Sequence, residues 1–317
     1  MPELGFSLSS EEHPPNDLVR YAKAAEDAGF TYALISDHFH PWIDAQGNSA
    51  FVWSVIGAIA HATERIRLGT GVTCPMIRTH PAIIAHAAAT SAAMMPGRFF
   101  LGVGSGENLN EHVLGDKWPA PDERLEMLEE AVEVIRLLWQ GGYQTHRGKH
   151  YTVEQARLYT LPEELPKIAV AAAQPNAAEL AGRIGDALVG VAPDEEVVRN
   201  FEQAGGKGKP RYGHITACWA ESEDAAKKTA HENWPNAAIE GPLSQELALP
   251  SHFEAAAEMV DPDDLAEAMP LGADPARYLE EIEKYEGAGF DHVYIHQVGP
   301  DQAGFIQFAQ RELMPKL

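Results

Sequence analysis

Positive charge is what this sequence has least of. Against 47 acidic residues stand 24 lysines and arginines, a formal net charge of −23 over 317 residues. A surface of that sign repels nucleic-acid phosphates and anionic lipid, so neither nucleic acid nor a membrane is expected as a partner. It favours solubility and fits a salty cytoplasm, but it selects no substrate. Cysteine is nearly missing as well. Cys74 and Cys218 stand far apart, with no further Cys or His at ligand spacing, which argues against a disulfide framework and against any metal site. Long hydrophobic runs are absent: no stretch reaches the ~18 apolar residues of a membrane span. The opening Met1-Pro2-Glu3-Leu4-Gly5 has neither the charged nor the apolar region of a secretory leader, so a cytoplasmic protein is expected.

What the chain does have is a regular alternation. Apolar residues make up 45%, enough for a full core. Short apolar runs at 4–8, 30–35, 66–72, 98–103, 168–171, 187–190, 212–219 and 292–296 read as strands. Between and after them, helical periodicity is expected from 14 to the stop at Gly29, then over 52–63, 81–94, 122–139, 176–184, 195–204, 223–233, 274–288 and 303–313. Residues 149–159 suggest a small hairpin, and the Pro- and Ala-rich stretch 234–270 an insertion with short helices. Eight strand–helix pairs predict an α/β protein, a (β/α)8 TIM barrel over 1–317 as a single domain with insertion segments. A doubly wound open sheet is the alternative.

In such a barrel, chemistry belongs at the carboxyl ends of the strands. The second strand runs into Ser36-Asp37-His38-Phe39-His40-Pro41-Trp42, an acid, two imidazoles and an indole within six residues. Polar groups that crowd a strand end each need a partner. They form either an active-site loop or a cap on the next helix. The third strand ends in Gly69-Thr70-Gly71-Val72-Thr73-Cys74-Pro75, where two glycines and a proline imply irregular backbone. The fourth runs into Gly102-Val103-Gly104-Ser105-Gly106-Glu107. This is a weak match to a dinucleotide fingerprint, and reads better as backbone that lets a flat ligand approach, with Glu107 as a carboxyl at the mouth. The fifth ends in Ala171-Ala172-Ala173-Gln174-Pro175-Asn176. Small residues before a helix amino terminus suit a phosphate, or simply tight packing.

Together with Leu68, Arg98, Leu109-Asn110-Glu111, Ala181-Gly182-Arg183 and Gly185-Asp186, these motifs keep one order along nearly the whole chain. They resemble the luciferase-like barrel oxidoreductases that use the deazaflavin coenzyme F420, and most closely the F420-dependent glucose-6-phosphate dehydrogenase family. The resemblance implies a homodimer acting on a small-molecule substrate. His38 would be the base at the substrate carbinol and Trp42 would flank the reacting carbon. Glu107 would be the acid near the ring nitrogen, supported by Asn110. Asp37 would contact the ring system. Gly71 and Val72 would back the central ring across a non-proline cis peptide, with Cys74 and Gly106 in the same coenzyme-binding set. Ala172, Ala173, Gln174 and Pro175 would border the phosphate, although the family has glycines where this chain has Ala173 and Gln174.

One departure bears on the substrate. The lysines and arginine with which the family grips a sugar phosphate fall, in a gap-free reading, at Asp194, Ser244 and Ala268. A threonine of that pocket falls at Val191. Without those cations a phosphate dianion is disfavoured. The expectation is therefore an F420-dependent dehydrogenase oxidising an unphosphorylated sugar, lactol or alcohol. The alternatives are a reductase using the reduced coenzyme, a glucose-6-phosphate dehydrogenase with another phosphate site, and a flavin monooxygenase of the same superfamily.

Overall fold

The computed structural model describes every residue except Glu240 and Pro242. Eight strands close into a parallel barrel: β1 (Glu3–Leu8), β2 (Tyr32–Ile35), β3 (Arg67–Thr70), β4 (Phe99–Val103), β7 (Ile168–Ala171), β8 (Ala187–Gly190), β9 (Arg211–Ala217) and β10 (His292–Gln297). Pairing of Glu3 with His292 through Phe6 with Ile295 joins the last strand to the first. The strands are short and almost wholly buried, as strands covered on both faces must be. The expected barrel is thus present.

Helices follow the strands: α1 (Pro15–Ala28), α2 (Val52–Ala62), α3 (Pro81–Met94), α5 (Pro121–Trp139), α6 (Pro175–Ile184), α7 (Glu195–Phe201), α8 (Glu223–Asn233), α12 (Pro275–Gly287) and α13 (Gln302–Phe308), with α4 (Asn108–Glu111) a single turn after β4. Proline occupies the first turn of α1, α3, α5, α6 and α12, where its missing N–H costs nothing. That is why α5 and α6 start one residue earlier than periodicity alone suggests. The helix expected to reach 204 gives way after Phe201 to a wider turn, Glu202–Gly206, kinked at Gly205, whose φ is +112°. The hairpin also differs from expectation. Its strands are β5 (Gln144–Arg147) and β6 (Thr152–Ala156), so the first begins before residue 149. The turn between them is organised from outside, because the Glu130 carboxylate accepts the backbone N–H groups of Lys149, His150 and Tyr151.

The floor of the barrel is sealed by aromatic rings. Phe100 and Tyr212 stack at 5.2 Å, and Tyr32 meets Tyr212 edge-on at 5.3 Å. Glycines make room for them. A Cβ on Gly5 would lie 2.4 Å from the Tyr32 ring, and one on Gly69 would lie 2.2 Å from Phe100. The open end is the carboxyl-terminal one. There the stretch 234–270 supplies α9 (Leu243–Glu246), α10 (Pro250–Ala257) and α11 (Pro262–Ala268), with Glu240 and Pro242 outside the described residues. Among the described residues no helix is long and apolar enough to cross a membrane.

One long-range cap ties the amino-terminal side together. Glu26, buried on α1, accepts hydrogen bonds from the backbone N–H groups of Glu64, Arg65 and Ile66 just before β3. Burial alone would raise its pKa, but the three donors outweigh it and bring it down to about 2. Glu26→Ala leaves those donors without partners and should cost at least about 2 kcal/mol, read as a lower urea midpoint. Because the folded pKa is depressed, the wild-type contribution is complete above the ordinary carboxylate range and fades only as pH falls toward about 2. A variant with an unchanged midpoint at pH 7 would show that water replaces the carboxylate.

Candidate active site

A cavity of about 710 Å³ opens at the carboxyl ends of the barrel strands, within the range of small-molecule sites. His38, Trp42, Gly71, Val72, Gly106, Glu107, Ala172, Ala173, Gln174, Pro175, Val191 and Ser244 all line it. Thus the loops after β2, β3, β4 and β7, read separately in the sequence, meet on one space.

His38 is held from both sides of its ring. Its Nδ1 lies 3.2 Å from the carbonyl oxygen of His40, which assigns a proton to Nδ1 and makes Nε2 the nitrogen that can take up a second one. Nε2 faces Oε1 of Glu11 at 3.4 Å, and the ring packs against Trp42 at 5.0 Å. Trp42 is braced in turn by the edge of Phe253 on α10. Glu11 is buried, and its Oε2 accepts from Ser9 Oγ at 3.1 Å and Ser36 Oγ at 2.5 Å. Burial pushes its carboxyl up, but the positive charge His38 carries when protonated and the Ser36 hydrogen bond outweigh it, so the pKa lies below the ordinary carboxylate value. An ionised carboxylate beside Nε2 stabilises the imidazolium that forms when His38 takes a proton.

Two buried networks set the loops. Asn110 accepts from the backbone N–H groups of Phe39 and His40 through Oδ1, and donates through Nδ2 to Glu107 at 3.3 Å. One side chain thereby fixes the His38 loop relative to the Glu107 carboxyl. Asp37 accepts from Thr73 Oγ1 at 2.7 Å and from Arg78 Nη2 at 3.0 Å. Arg78 also donates from its backbone N–H to Glu111 at 2.7 Å. Burial raises the Glu111 pKa despite that hydrogen bond and the nearby guanidinium.

Another part of the cavity wall is nearly free of side chains. The Gly71–Val72 peptide bond is cis. Gly104 has no room for a side chain, since a Cβ there would come within 2.8 Å of Val72 Cγ2. With Gly71, Gly106, Ala171 and Ala172 this makes a flat face of backbone and methyl groups. At its edge the amino terminus of α6 points into the cavity with no side-chain cap from Gln174, a position suited to an anionic oxygen.

Several expected site residues lie elsewhere. The Asp37 carboxylate is not on the cavity wall, because both its oxygens are engaged by Thr73 and Arg78. Asn110 is buried behind Glu107. Cys74 sits beneath Gly106, where a Cβ would come within 2.6 Å of its sulfur, and burial holds its thiol well above the usual range. Asp194 caps α7, accepting from the N–H groups of Glu196 and Val197, and so cannot face a substrate phosphate. Ala268 is exposed at the end of α11. Of the four positions assigned to the substrate pocket, Val191 and Ser244 line the cavity, whereas Asp194 and Ala268 do not.

Other lining residues were not singled out in the sequence. Glu11 belongs to a stretch read there as a polar loop, yet it directly follows a barrel strand, the same signal that marked His38. His214 and His296 follow Tyr212 and Tyr294 by two residues, and period-two alternation turns all four toward the barrel axis. Arg124, on α5, is fully buried. It stacks on Trp118 at 4.4 Å and donates to Glu246 at 3.0 Å and Gln245 at 3.0 Å, fastening α9 over the mouth.

A closed parallel barrel that gathers an imidazole, two carboxylates and a flat backbone wall at its carboxyl-terminal mouth has the layout of a barrel enzyme. The chain belongs to the luciferase-like family: the family model described as luciferase-like monooxygenase matches residues 2–292. It is 36% identical to the F420-dependent glucose-6-phosphate dehydrogenase of Nocardia farcinica, over 99% of this chain and 98% of that protein. It is 33% identical to the protein of the same name from Microbacterium testaceum, over 99% and 97%. Among solved structures, an F420-dependent secondary alcohol dehydrogenase in complex with an F420-acetone adduct superposes with a TM-score of 0.92 at 30% identity, covering 99% of this chain and 98% of the other. The coenzyme F420 dependent tetrahydromethanopterin reductase of Methanopyrus kandleri shares the fold at a TM-score of 0.80 and 23% identity, over 99% of both chains.

Proposed function

We propose that this protein is an F420-dependent oxidoreductase that takes hydride from the hydroxyl-bearing carbon of an unphosphorylated alcohol, sugar or lactol. The coenzyme follows from the relatives, which are named for it, and the residues present fit it. The flat wall at Gly71, Gly104 and Ala171 accommodates a planar ring system, and the uncapped start of α6 suits its phosphate. When bound, the deazaflavin supplies a hydride acceptor. The chain's own groups then handle protons and position. His38 Nε2 takes the hydroxyl proton, Glu11 stabilises the resulting imidazolium, and Trp42 confines the carbinol beside it. Glu107, oriented by Asn110, is the second group placed to transfer a proton at the same mouth.

The observation that carries the substrate class is the state of the cavity's cations. Among the described lining residues Arg124 is the one lysine or arginine, and its terminal nitrogens are spent on Glu246, Gln245 and the Pro119 carbonyl. Lys209 and Arg211 are also engaged, the first by the Gly182 and Gly185 carbonyls and the second by Glu202 and Asp291. A dianion would therefore meet Glu11 and Glu107 without a free cation. The solved relative with an F420-acetone adduct favours the same reading. Steady-state bleaching of oxidised F420 with a panel of alcohols, sugars and glucose 6-phosphate tests it. At least one unphosphorylated compound should exceed glucose 6-phosphate in kcat/KM by tenfold or more. If glucose 6-phosphate led the panel, the substrate assignment would fail. Preferential binding of FMN over F420 would remove the coenzyme assignment.

A further inference from the structure

Two imidazoles on the cavity wall take no part in the chemistry described above. His214 on β9 and His296 on β10 stand on neighbouring strands, with His214 paired to Tyr294 and Thr216 to His296. Their rings lie nearly parallel at 5.9 Å, and His214 also stacks on Tyr294 at 4.8 Å. His296 is fixed by Glu12. The Nε2 of His296 lies 2.6 Å from one carboxylate oxygen, and the other oxygen accepts the backbone N–H of Gly299 at 2.8 Å. Nε2 is therefore the protonated nitrogen and Nδ1 is left over. Among the described residues, neither His296 Nδ1 nor either ring nitrogen of His214 has a hydrogen-bond partner. Burial, reinforced by the neighbouring His296, brings the His214 pKa down to about 3, so it is a neutral imidazole with one donor and one acceptor to offer.

Wall and base are anchored on two consecutive residues of the loop after β1. Glu11 faces His38 and Glu12 faces His296, and both imidazoles line the same cavity. Trp234 meets the His296 ring edge-on at 4.4 Å, and with Trp42 it gives the cavity two indoles beside these polar atoms. Glu12 offsets any charge on His296, and His214 carries none, so the wall suits neutral hydroxyls better than an anion. Polar atoms kept in a cavity without protein partners call for partners from the ligand.

Building on the reading under Proposed function, we infer that His214 and His296, with Glu12 as a positioning residue, form a subsite for a second hydroxyl close to the one oxidised. The substrate is then a neutral diol, polyol or lactol, and a simple alcohol is a poor mimic of it.

Cyclohexanol and cis-1,2-cyclohexanediol differ by that one hydroxyl and decide the matter. In the wild type, kcat/KM for the diol should exceed that for cyclohexanol by about 10²-fold or more, since a site built to bond a hydroxyl rejects the analogue lacking it. In His214→Leu and in Glu12→Gln that ratio should fall at least tenfold. A wild-type ratio near one, or a ratio that survives both substitutions, overturns the subsite. Fluorescence titration of F420 is run on the same proteins, and a loss of coenzyme affinity as large as the loss of diol preference would reassign these residues to the coenzyme and overturn it as well. Binding is also read without turnover. In His38→Ala saturated with F420, the diol should raise the melting midpoint more than cyclohexanol does at equal concentration, and His214→Leu in that background should remove the difference. If the wild type oxidises neither compound, the melting comparison accepts or rejects the subsite by itself, and the oxidation reading is decided by the wider panel.

Discussion

Replacing His38 with alanine should lower kcat for the proposed oxidation by about 10²–10⁴-fold while the F420 dissociation constant stays within a few-fold. The asymmetry follows from where the side chain sits. Its Nδ1 is tied to the His40 carbonyl and its Nε2 lies 3.4 Å from Glu11, so a proton taken up at Nε2 is held beside a carboxylate. The flat wall at Gly71, Gly104 and Ala171 contains no part of it. Glu11→Gln should also lose most in kcat, since it keeps the hydrogen-bonding shape but removes the charge that stabilises the imidazolium. Steady-state kinetics of both variants, with fluorescence titration of the coenzyme, is the check. Turnover of His38→Ala within a few-fold of wild type would end the assignment of His38 as base.

Arg78→Met should destabilise the protein by about 3–5 kcal/mol, the cost of removing one partner from a buried charge cluster. Arg78 is largely buried and faces Asp37 at 3.0 Å and Glu111 at 3.4 Å. Without it, two carboxylates remain under the active-site loops with no cation. The effect carries a sign with pH. Burial already raises the Glu111 pKa, so the folded state holds its proton more tightly than the unfolded chain does. Its destabilising contribution develops as pH rises from the ordinary carboxylate range through the folded value. In the variant, which also lacks the opposing guanidinium, the deficit should be largest near neutrality and shrink as pH falls toward 5. Urea unfolding at two pH values tests both points, and a loss under about 1 kcal/mol at pH 7 would mean that the cluster reorganises or hydrates.

The barrel was legible because its signals are local. The apolar run 187–190 could be little else than a buried strand, and α3 is bounded where the sequence places it, by His80-Pro81 at one end and the turn before Arg98 at the other. The motif loops were legible because polar residues right after a strand end are positional information. What stayed hidden depends on partners far along the chain. Asp37 looks like a ligand-facing acid until Thr73 and Arg78, 36 and 41 positions away, take up its oxygens. The hairpin start eluded local patterning because Glu130 on α5 organises its turn. His214 and His296 lie within strands, where a lone histidine reads as core. Asp194, shortly after β8, looked like a mouth residue until its carboxylate was spent on capping α7, and Ala268 was carried by a gap-free correspondence through 234–270, whose path the barrel does not fix.

The aromatic floor has a kinetic meaning. Tyr32, Phe100 and Tyr212 stop the barrel from below, so the chamber has no rear exit through its axis. Whatever enters comes through the open end, where Arg124 fastens α9 beside the cavity, so coenzyme and substrate share one approach.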